Sequence, residues 1–174
     1  MNKTVTCLKA IAALLVLLFL DQLTKQLAAT HLYQQKPIEI LPGIFELRFL
    51  MNKGAAFGIL QNHQYFFVAL TSLIVCILIY IFFRIPAVSR YMPIKALLVL
   101  LTAGAIGNFV DRIRLGYVID FLYFKLIDFP IFNVADCYVV VSVILLAILV
   151  LFYYKEEEMD ELAEKLKPGK KQQY

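Results

Sequence analysis

Two aspartates that lie beside very apolar sequence are the residues of this chain best suited to do chemistry. Asp120 lies in GYVIDFLYF, and Asp136 lies in FNVADCYVVVSVILLAILVLFYY. An ionisable group at a membrane edge is costly unless it has a partner or a function, and the apolar flanks of Asp120 predict a raised pKa. Two neighbouring carboxyl groups can divide the work of activating water, one as base and the other as acid. The pair therefore predicts an aspartyl active site at a membrane surface.

Asparagines stand three residues before two aspartates, at positions that share one face of a helix. Asn133 precedes Asp136, and its amide can donate to that carboxylate or to a bound carbonyl. Asn108 precedes Asp111 in the same way in GAIGNFVDRI, with Arg112 one residue further on. For Asp111 and Arg112, capping and solvation of a helix end is the favoured interpretation.

Two further motifs could support such a site. In DQLTK, Asp21 and Lys25 have the favourable acid-before-base spacing of a helical ion pair. That pair is either an interfacial anchor that sets helix depth or a part of the site. In NKGAAFG, Asn52 places a polar side chain where the chain turns back towards the membrane, and Gly54 permits a turn or close packing.

The cysteines offer an alternative chemistry with less support. Cys7, Cys76 and Cys137 are widely spaced, which predicts neither a disulfide framework nor a metal site. Cys137 adjoins Asp136 and could act as a nucleophile, but no histidine lies near it in sequence. A small apolar filler is the favoured interpretation.

The elements that must position these residues are membrane helices. The chain has 174 residues, of which 61% are hydrophobic and 17% are charged, with a mean hydropathy of +0.76. This composition excludes an ordinary soluble domain. Apolar stretches over residues 4–23, 65–83, 94–110 and 132–154 predict four transmembrane helices in one domain, residues 1–154. Gly104 and Gly107 give the third helix a small-residue face for close packing.

Charge sets the predicted topology, and the net charge of +4 is therefore no sign of nucleic-acid binding. Basic residues precede helix one, fill the second loop and follow helix four, which predicts that both termini are cytoplasmic. The site then lies on the extracytoplasmic face. The charged tail, residues 155–174, is expected to be a solvated, frayed helical extension. The first stretch could also be a cleaved signal peptide, but no convincing cleavage site follows it, so a retained helix is favoured.

The two outer loops have different patterns. In the first, residues 24–64, Phe45, Leu47 and Phe49 alternate with Glu46 and Arg48, which predicts a small antiparallel sheet at the membrane surface. The second, residues 111–131, is aromatic. It is interpreted as an interfacial aromatic belt, a lid over the site, or both.

The ordered blocks DQLTK, NKGAAFG, GAIGNFVDRIRLGYVIDF and FNVADCYV resemble those of the lipoprotein signal peptidases, also called signal peptidase II. These are bacterial membrane aspartyl proteases with four helices. The resemblance covers almost the whole chain apart from the charged tail. It implies that Asp120 and Asp136 are catalytic. The positions that it implies to line or support the site are Asn52, Gly54, Asn108, Arg112, Asn133, Asp21 and Lys25.

The same resemblance implies the substrate and the setting. The substrate would be a prolipoprotein with a diacylglyceryl-modified cysteine, cleaved just before that cysteine without a metal or an organic cofactor. Acyl chains anchored in membrane lipid would hold the scissile bond near the site. The enzyme is expected in the bacterial cytoplasmic (inner) membrane, as a monomer, and inhibited by the cyclic peptide globomycin.

Three other classes of membrane protein explain the sequence less well. A transporter or channel usually carries its charges near the midplane, often within repeats, whereas here they cluster at one edge and no repeat is visible. A structural scaffold explains the small-residue helix face but not the two aspartates. Presenilin-like and prepilin-type proteases share the chemistry, but their surrounding motifs differ.

Overall fold

The computed structural model describes residues 2–54 and 64–167 and shows a helical membrane protein with a small sheet. Among the described residues, four helical segments are long and apolar enough to cross a bilayer, as predicted. They are α1 (Lys3–Leu32), α2 (Gln64–Arg84), α3 (Met92–Leu115) with a 3₁₀ turn before it (Ser89–Tyr91), and α4 (Val134–Ile148) with a π-helical end (Leu149–Tyr153).

Close packing of α3 on α4 depends on glycine. A Cβ atom at Gly104 would lie 2.5 Å from the backbone oxygen of Ala135 and 2.8 Å from Cγ2 of Val139. A Cβ atom at Gly107 would lie 2.5 Å from Oδ2 of Asp21 on α1. The predicted small-residue face therefore brings the α4 backbone and an α1 carboxylate directly against α3.

The sheet is antiparallel, with the order β1 (Ile38–Leu41), β2 (Phe45–Asn52), β3 (Val118–Phe124). Its first two strands form the hairpin predicted in the first loop, and Gly43 turns between them at φ +72°. The third strand replaces part of the predicted loop 111–131. Helix α3 continues to Leu115 and ends at Gly116, whose left-handed φ of +76° is a common helix end. Residues 118–121 are all buried, so β3 lacks the alternation that would have indicated a strand.

Helix α1 continues past its predicted end at residue 23 to Leu32. Its last turns pack against the sheet, where Ala28 and Leu32 form a buried cluster with Ile119 and Phe121 of β3. Contact with the sheet therefore stabilises the last part of α1, whose sequence is too polar to be predicted as membrane-spanning. This extension carries Lys25, whose ammonium contacts Asn108 of α3.

The predicted solvated tail is instead a docked helix, α5 (Glu156–Leu166). Leu162 is 4% exposed and belongs to a cluster with Leu78 and Tyr91. Arg90 donates two hydrogen bonds to Glu158, at 2.8 and 2.9 Å. The expectation of a frayed helix came from like charges within α5, and packing and this bidentate pair outweigh that repulsion.

Candidate active site

The predicted polar residues meet at the end of the helical bundle that carries the sheet. Asn52 ends β2, Asp120 lies within β3, and Asn108 lies in the last two turns of α3. Asn133 is the N-cap residue of α4, and Asp136 lies in the first turn of that helix. Four elements that are far apart in sequence thus supply one polar cluster.

A capping box fixes the start of α4. The side-chain oxygen of Asn133 accepts a hydrogen bond from the Asp136 backbone N–H at 3.1 Å. In return, Oδ2 of Asp136 accepts one from the Asn133 backbone N–H at 3.1 Å. This reciprocal arrangement satisfies two backbone donors at the helix end and restricts the Asp136 carboxylate to one orientation. The two residues contact each other, as their shared face predicts, but through side-chain–backbone bonds. The Asn133 side-chain NH₂ donates to Asp120 and Asn108, and not to Asp136 as expected.

Asp120 is buried and is held by two amides. It is 1% exposed, and its two oxygens accept hydrogen bonds from Nδ2 of Asn133 at 2.6 Å and from Nδ2 of Asn52 at 2.8 Å. Burial and, to a lesser extent, the nearby Asp136 carboxylate raise the pKa of Asp120 to about 7, although the two amide donors oppose this. The raised pKa that its apolar flanks predict is therefore found. Asn133 contacts both aspartates and so links them.

Asn108 is the second amide that joins the polar groups. Its Nδ2 donates to Oδ1 of Asp136 at 2.7 Å, and its Oδ1 accepts from Nδ2 of Asn133 at 3.1 Å. The same Oδ1 accepts from Nζ of Lys25 at 2.9 Å. Asn108 therefore links α1, α3 and α4 through a single side chain.

A buried ion cluster lies behind Asn108. Nζ of Lys25 contacts Oδ2 of Asp21 at 3.1 Å and Oδ2 of Asp111 at 2.9 Å, and all three side chains are nearly inaccessible. Asp21 also accepts from the Ala135 backbone N–H at 3.0 Å, and Asp111 from that of Ile119 at 3.3 Å. A buried charge is stable only when it has partners. The partners of these three charges lie on α1, α3, α4 and β3, so the cluster joins the four elements.

Two sequence interpretations change as a result. Asp21 and Lys25 are both buried, so the pair is not an exposed interfacial anchor, and Lys25 contacts Asn108. Asp111 is buried and pairs with Lys25, so it is not a solvated helix cap. Its spacing from Asn108 placed it on the correct face, but nothing in the local sequence showed that Lys25 would reach it.

Arg112 lies at the side of the site. Its guanidinium lies 4.9 Å from the ring centre of Phe67, and its Nη2 donates to the Gly54 carbonyl at 3.4 Å. Its Nε is buried and has no hydrogen-bond partner within the described residues. The Gly54 backbone N–H donates to Oδ1 of Asn52 at 2.9 Å, which holds the amide that contacts Asp120. The rest of the NKGAAFG block lies outside the described residues.

These groups form the polar end of a cavity of about 500 Å³. Its other walls are apolar and come from the aromatic segment after β3 and from the first turns of α4. Val140 and Val141 of this wall lie on the exposed flank of α4. The cavity is lined by Asn52, Gly54, Asn108, Arg112, Val118, Asp120, Phe124, Phe129, Pro130, Ile131, Phe132, Asp136, Cys137, Val140 and Val141.

The alternative chemistries gain no support from this geometry. Cys137 lines the cavity, but the ring of His31 hydrogen-bonds to the Leu27 carbonyl on α1, and His63 lies outside the described residues. Within residues 2–54 and 64–167, no three His, Cys, Asp or Glu side chains are grouped so as to hold a metal ion. The arrangement suits proton transfer by two carboxyl groups held by amides.

Comparison with known proteins finds relatives that match most of the chain. Residues 13–152 match the family described as signal peptidase (SPase) II. A lipoprotein signal peptidase of Streptococcus thermophilus (strain CNRZ 1066) is 43% identical over 145 residues, which cover 83% of this chain and 92% of the relative. One of Streptococcus pyogenes serotype M6 is 43% identical over 148 residues, covering 85% of this chain and 94% of the relative.

Solved structures show the same fold. A bacterial membrane enzyme determined by the in meso method at 2.3 Å resolution is 35% identical, with a TM-score of 0.75 over 85% of this chain and 92% of that one. A second, at 1.9 Å resolution, is 34% identical, with a TM-score of 0.73 over 84% of this chain and 94% of that one. Helix α5 begins beyond the residues that match the family.

Proposed function

The chain belongs to the signal peptidase II family and is a membrane protease that processes lipoproteins, and from this premise we propose that Asp120 and Asp136 are its catalytic dyad. The observation that carries the proposal is that Asn133 contacts both carboxyl groups at the polar end of one cavity. Amide donors hold both aspartates, so their oxygens are fixed before substrate arrives.

The two aspartates take different roles. Asp120 is buried and retains its proton up to a pH of about 7, so it is the acid that donates to the carbonyl oxygen of the scissile peptide. Asp136 is the base that removes a proton from water as the water oxygen attacks the carbonyl carbon. The resulting diol collapses when Asp136 passes its proton to the amide nitrogen, the C–N bond breaks, and a diol hydroxyl returns a proton to Asp120.

The proposed substrate is a prolipoprotein that carries a diacylglyceryl group on the cysteine after the scissile bond. The apolar walls suit the peptide and its lipid, and the exposed positions Val140 and Val141 leave this side of the cavity open towards the surrounding bilayer. Acyl chains that stay in the membrane would raise the local concentration of the scissile bond. Globomycin, as a cyclic peptide inhibitor of the family, is expected to compete for the same cavity.

We further propose that the site faces the outside of the bacterial cytoplasmic membrane and that the chain acts as a monomer. Arg84, Arg90 and Lys95 lie at the end of the bundle opposite the sheet, near α5. Basic residues favour the cytoplasmic side, so both termini are placed there.

Cleavage by the purified protein in detergent tests this function. We expect a synthetic prolipoprotein peptide with a diacylglyceryl cysteine to be cut immediately before that cysteine, as read by mass spectrometry of both products. The matched peptide with an unmodified cysteine should remain largely uncut, and globomycin should block the reaction. Cleavage at another bond, or equal cleavage of both peptides, would contradict the proposed specificity.

The pH dependence of turnover follows from the role of Asp120. Because Asp120 must be protonated to act as acid, turnover should fall as pH rises through its pKa of about 7. Removing the Asn52 amide, which favours the ionised form, should raise that pKa, so Asn52→Ala should move the alkaline limb of kcat to higher pH. Gln26→Ala, an exposed change on α1, is the control and should leave the limb in place. An unshifted limb in Asn52→Ala would contradict this role of Asp120.

A further inference from the structure

Lys25 acts on the site from a place where it cannot touch substrate. The residue is 1% exposed and does not line the cavity. Its ammonium contacts three oxygens, one each on Asp21, Asp111 and Asn108. Two of these contacts are ion pairs, and the third is with the amide that donates to Asp136.

The contact with Asn108 determines how that amide is oriented. An ammonium group has only donors, so the atom of Asn108 that faces Lys25 must be the oxygen. Asn133 presents a donor to the same oxygen. In the opposite orientation the Asn108 NH₂ would face both of these donors, and its oxygen would face Oδ1 of Asp136. Three favourable contacts would then become three repulsive ones.

We propose that Lys25 is a positioning residue that locks the Asn108 amide with its NH₂ towards Asp136, and so keeps a fixed hydrogen-bond donor on the base of the reaction. This proposal rests on the proposed dyad, and it assigns to the buried ion pairs a role in catalysis as well as in folding. The ion pairs hold Lys25 in place, Lys25 orients Asn108, and Asn108 orients the carboxylate.

The charged groups around Lys25 and Asp136 come from several elements. They are Asp21 and Lys25 on α1, Asp111 and Arg112 on α3, and Asp120 on β3. Asp21 and Asp111 each keep a backbone N–H partner if Lys25 is replaced. Gln22 also donates to Asp111, at 3.0 Å. The acids therefore retain hydrogen-bond partners in a Lys25 variant.

Lys25→Gln tests the proposal, because glutamine can present either an oxygen or an NH₂ to Asn108 and so no longer specifies its orientation. We expect kcat to fall roughly a hundredfold, as for a misplaced catalytic group, while KM changes little because the cavity lining is intact. Lys25→Arg keeps a donor-only group and should recover part of kcat.

A second variant decides the question if Lys25→Gln fails to fold. Asn108→Asp keeps an oxygen for Lys25 but presents no N–H to Asp136, so it should show the same lower kcat. Wild-type kcat in a folded variant of either kind would overturn the proposal. The dyad is judged separately, since full activity of Asp120→Asn would refute the proposed function itself.

Discussion

Asp120→Asn and Asp136→Asn are each expected to lower prolipoprotein turnover by roughly a thousandfold or more, because general acid–base catalysis contributes factors of about this size. An asparagine at position 120 cannot donate the carboxyl proton, and one at position 136 cannot take a proton from water. Both substitutions conserve side-chain volume, so the helical fold should persist. Turnover of the lipidated peptide and thermal unfolding in detergent measure the two properties separately.

Asp128→Asn is the matched control for these variants. Asp128 accepts a hydrogen bond from the Tyr123 hydroxyl at 2.5 Å and does not line the cavity. Its φ of +46° is one that asparagine tolerates. Activity should therefore stay near that of the wild type. An inactive Asp128→Asn beside an active Asp120→Asn would show that the site is assigned to the wrong carboxyl group.

Gly104→Ala is expected to prevent correct packing of α3 on α4. The added Cβ atom would lie 2.5 Å from a backbone oxygen of α4, which cannot move aside without moving the helix. Overpacking of this kind typically costs about 1–3 kcal/mol. Alanine is itself the better helix former by about 1 kcal/mol, so a net loss of stability would report the contact with α4. The measurement is the yield of monodisperse protein and its unfolding temperature in detergent.

Ile113→Ala on the same helix serves as the control, because Ile113 is 59% exposed and packs little against other helices. Its unfolding temperature should be close to that of the wild type. Wild-type stability and turnover in Gly104→Ala would mean that α3 and α4 are farther apart than the structure places them. Turnover matters here because α4 carries both Asn133 and Asp136.

The residues at the centre of the site were predictable because the local sequence shows that a polar or ionisable side chain stands among apolar ones. A carboxyl group flanked by apolar residues, as at Asp120, is unfavourable without a purpose, and the spacing of Asn133 from Asp136 matches one helix face. The four membrane helices were predictable because a helix that crosses the hydrocarbon core needs a long apolar run. The β1–β2 hairpin was predictable because apolar and charged residues alternate along β2. The remaining polar positions were predicted from the resemblance of the ordered motifs to the family.

The features that were missed depend on contacts between distant segments. Asp111 is buried in an ion pair with Lys25, which lies on another helix. Strand β3 is covered on both faces and pairs with β2, so its buried run carries no period of two. Helix α5 folds onto the bundle through Leu162 and Arg90, contacts that its own charge pattern does not indicate.

The length of α1 also sets the depth at which the protein works. Its 30 residues span about 45 Å, whereas the hydrocarbon core of a bilayer is about 30 Å thick. Asp21 and Lys25 lie about 27 and 33 Å from the first residue of the helix. With that first residue at one boundary of the hydrocarbon core, both would lie close to the other boundary, at the sheet end. A thicker bilayer would draw the polar cluster into hydrocarbon, and a thinner one would lift it away from the acyl region. We therefore expect the lipid composition of the host membrane to affect how well the enzyme is aligned with the proposed membrane-anchored substrate.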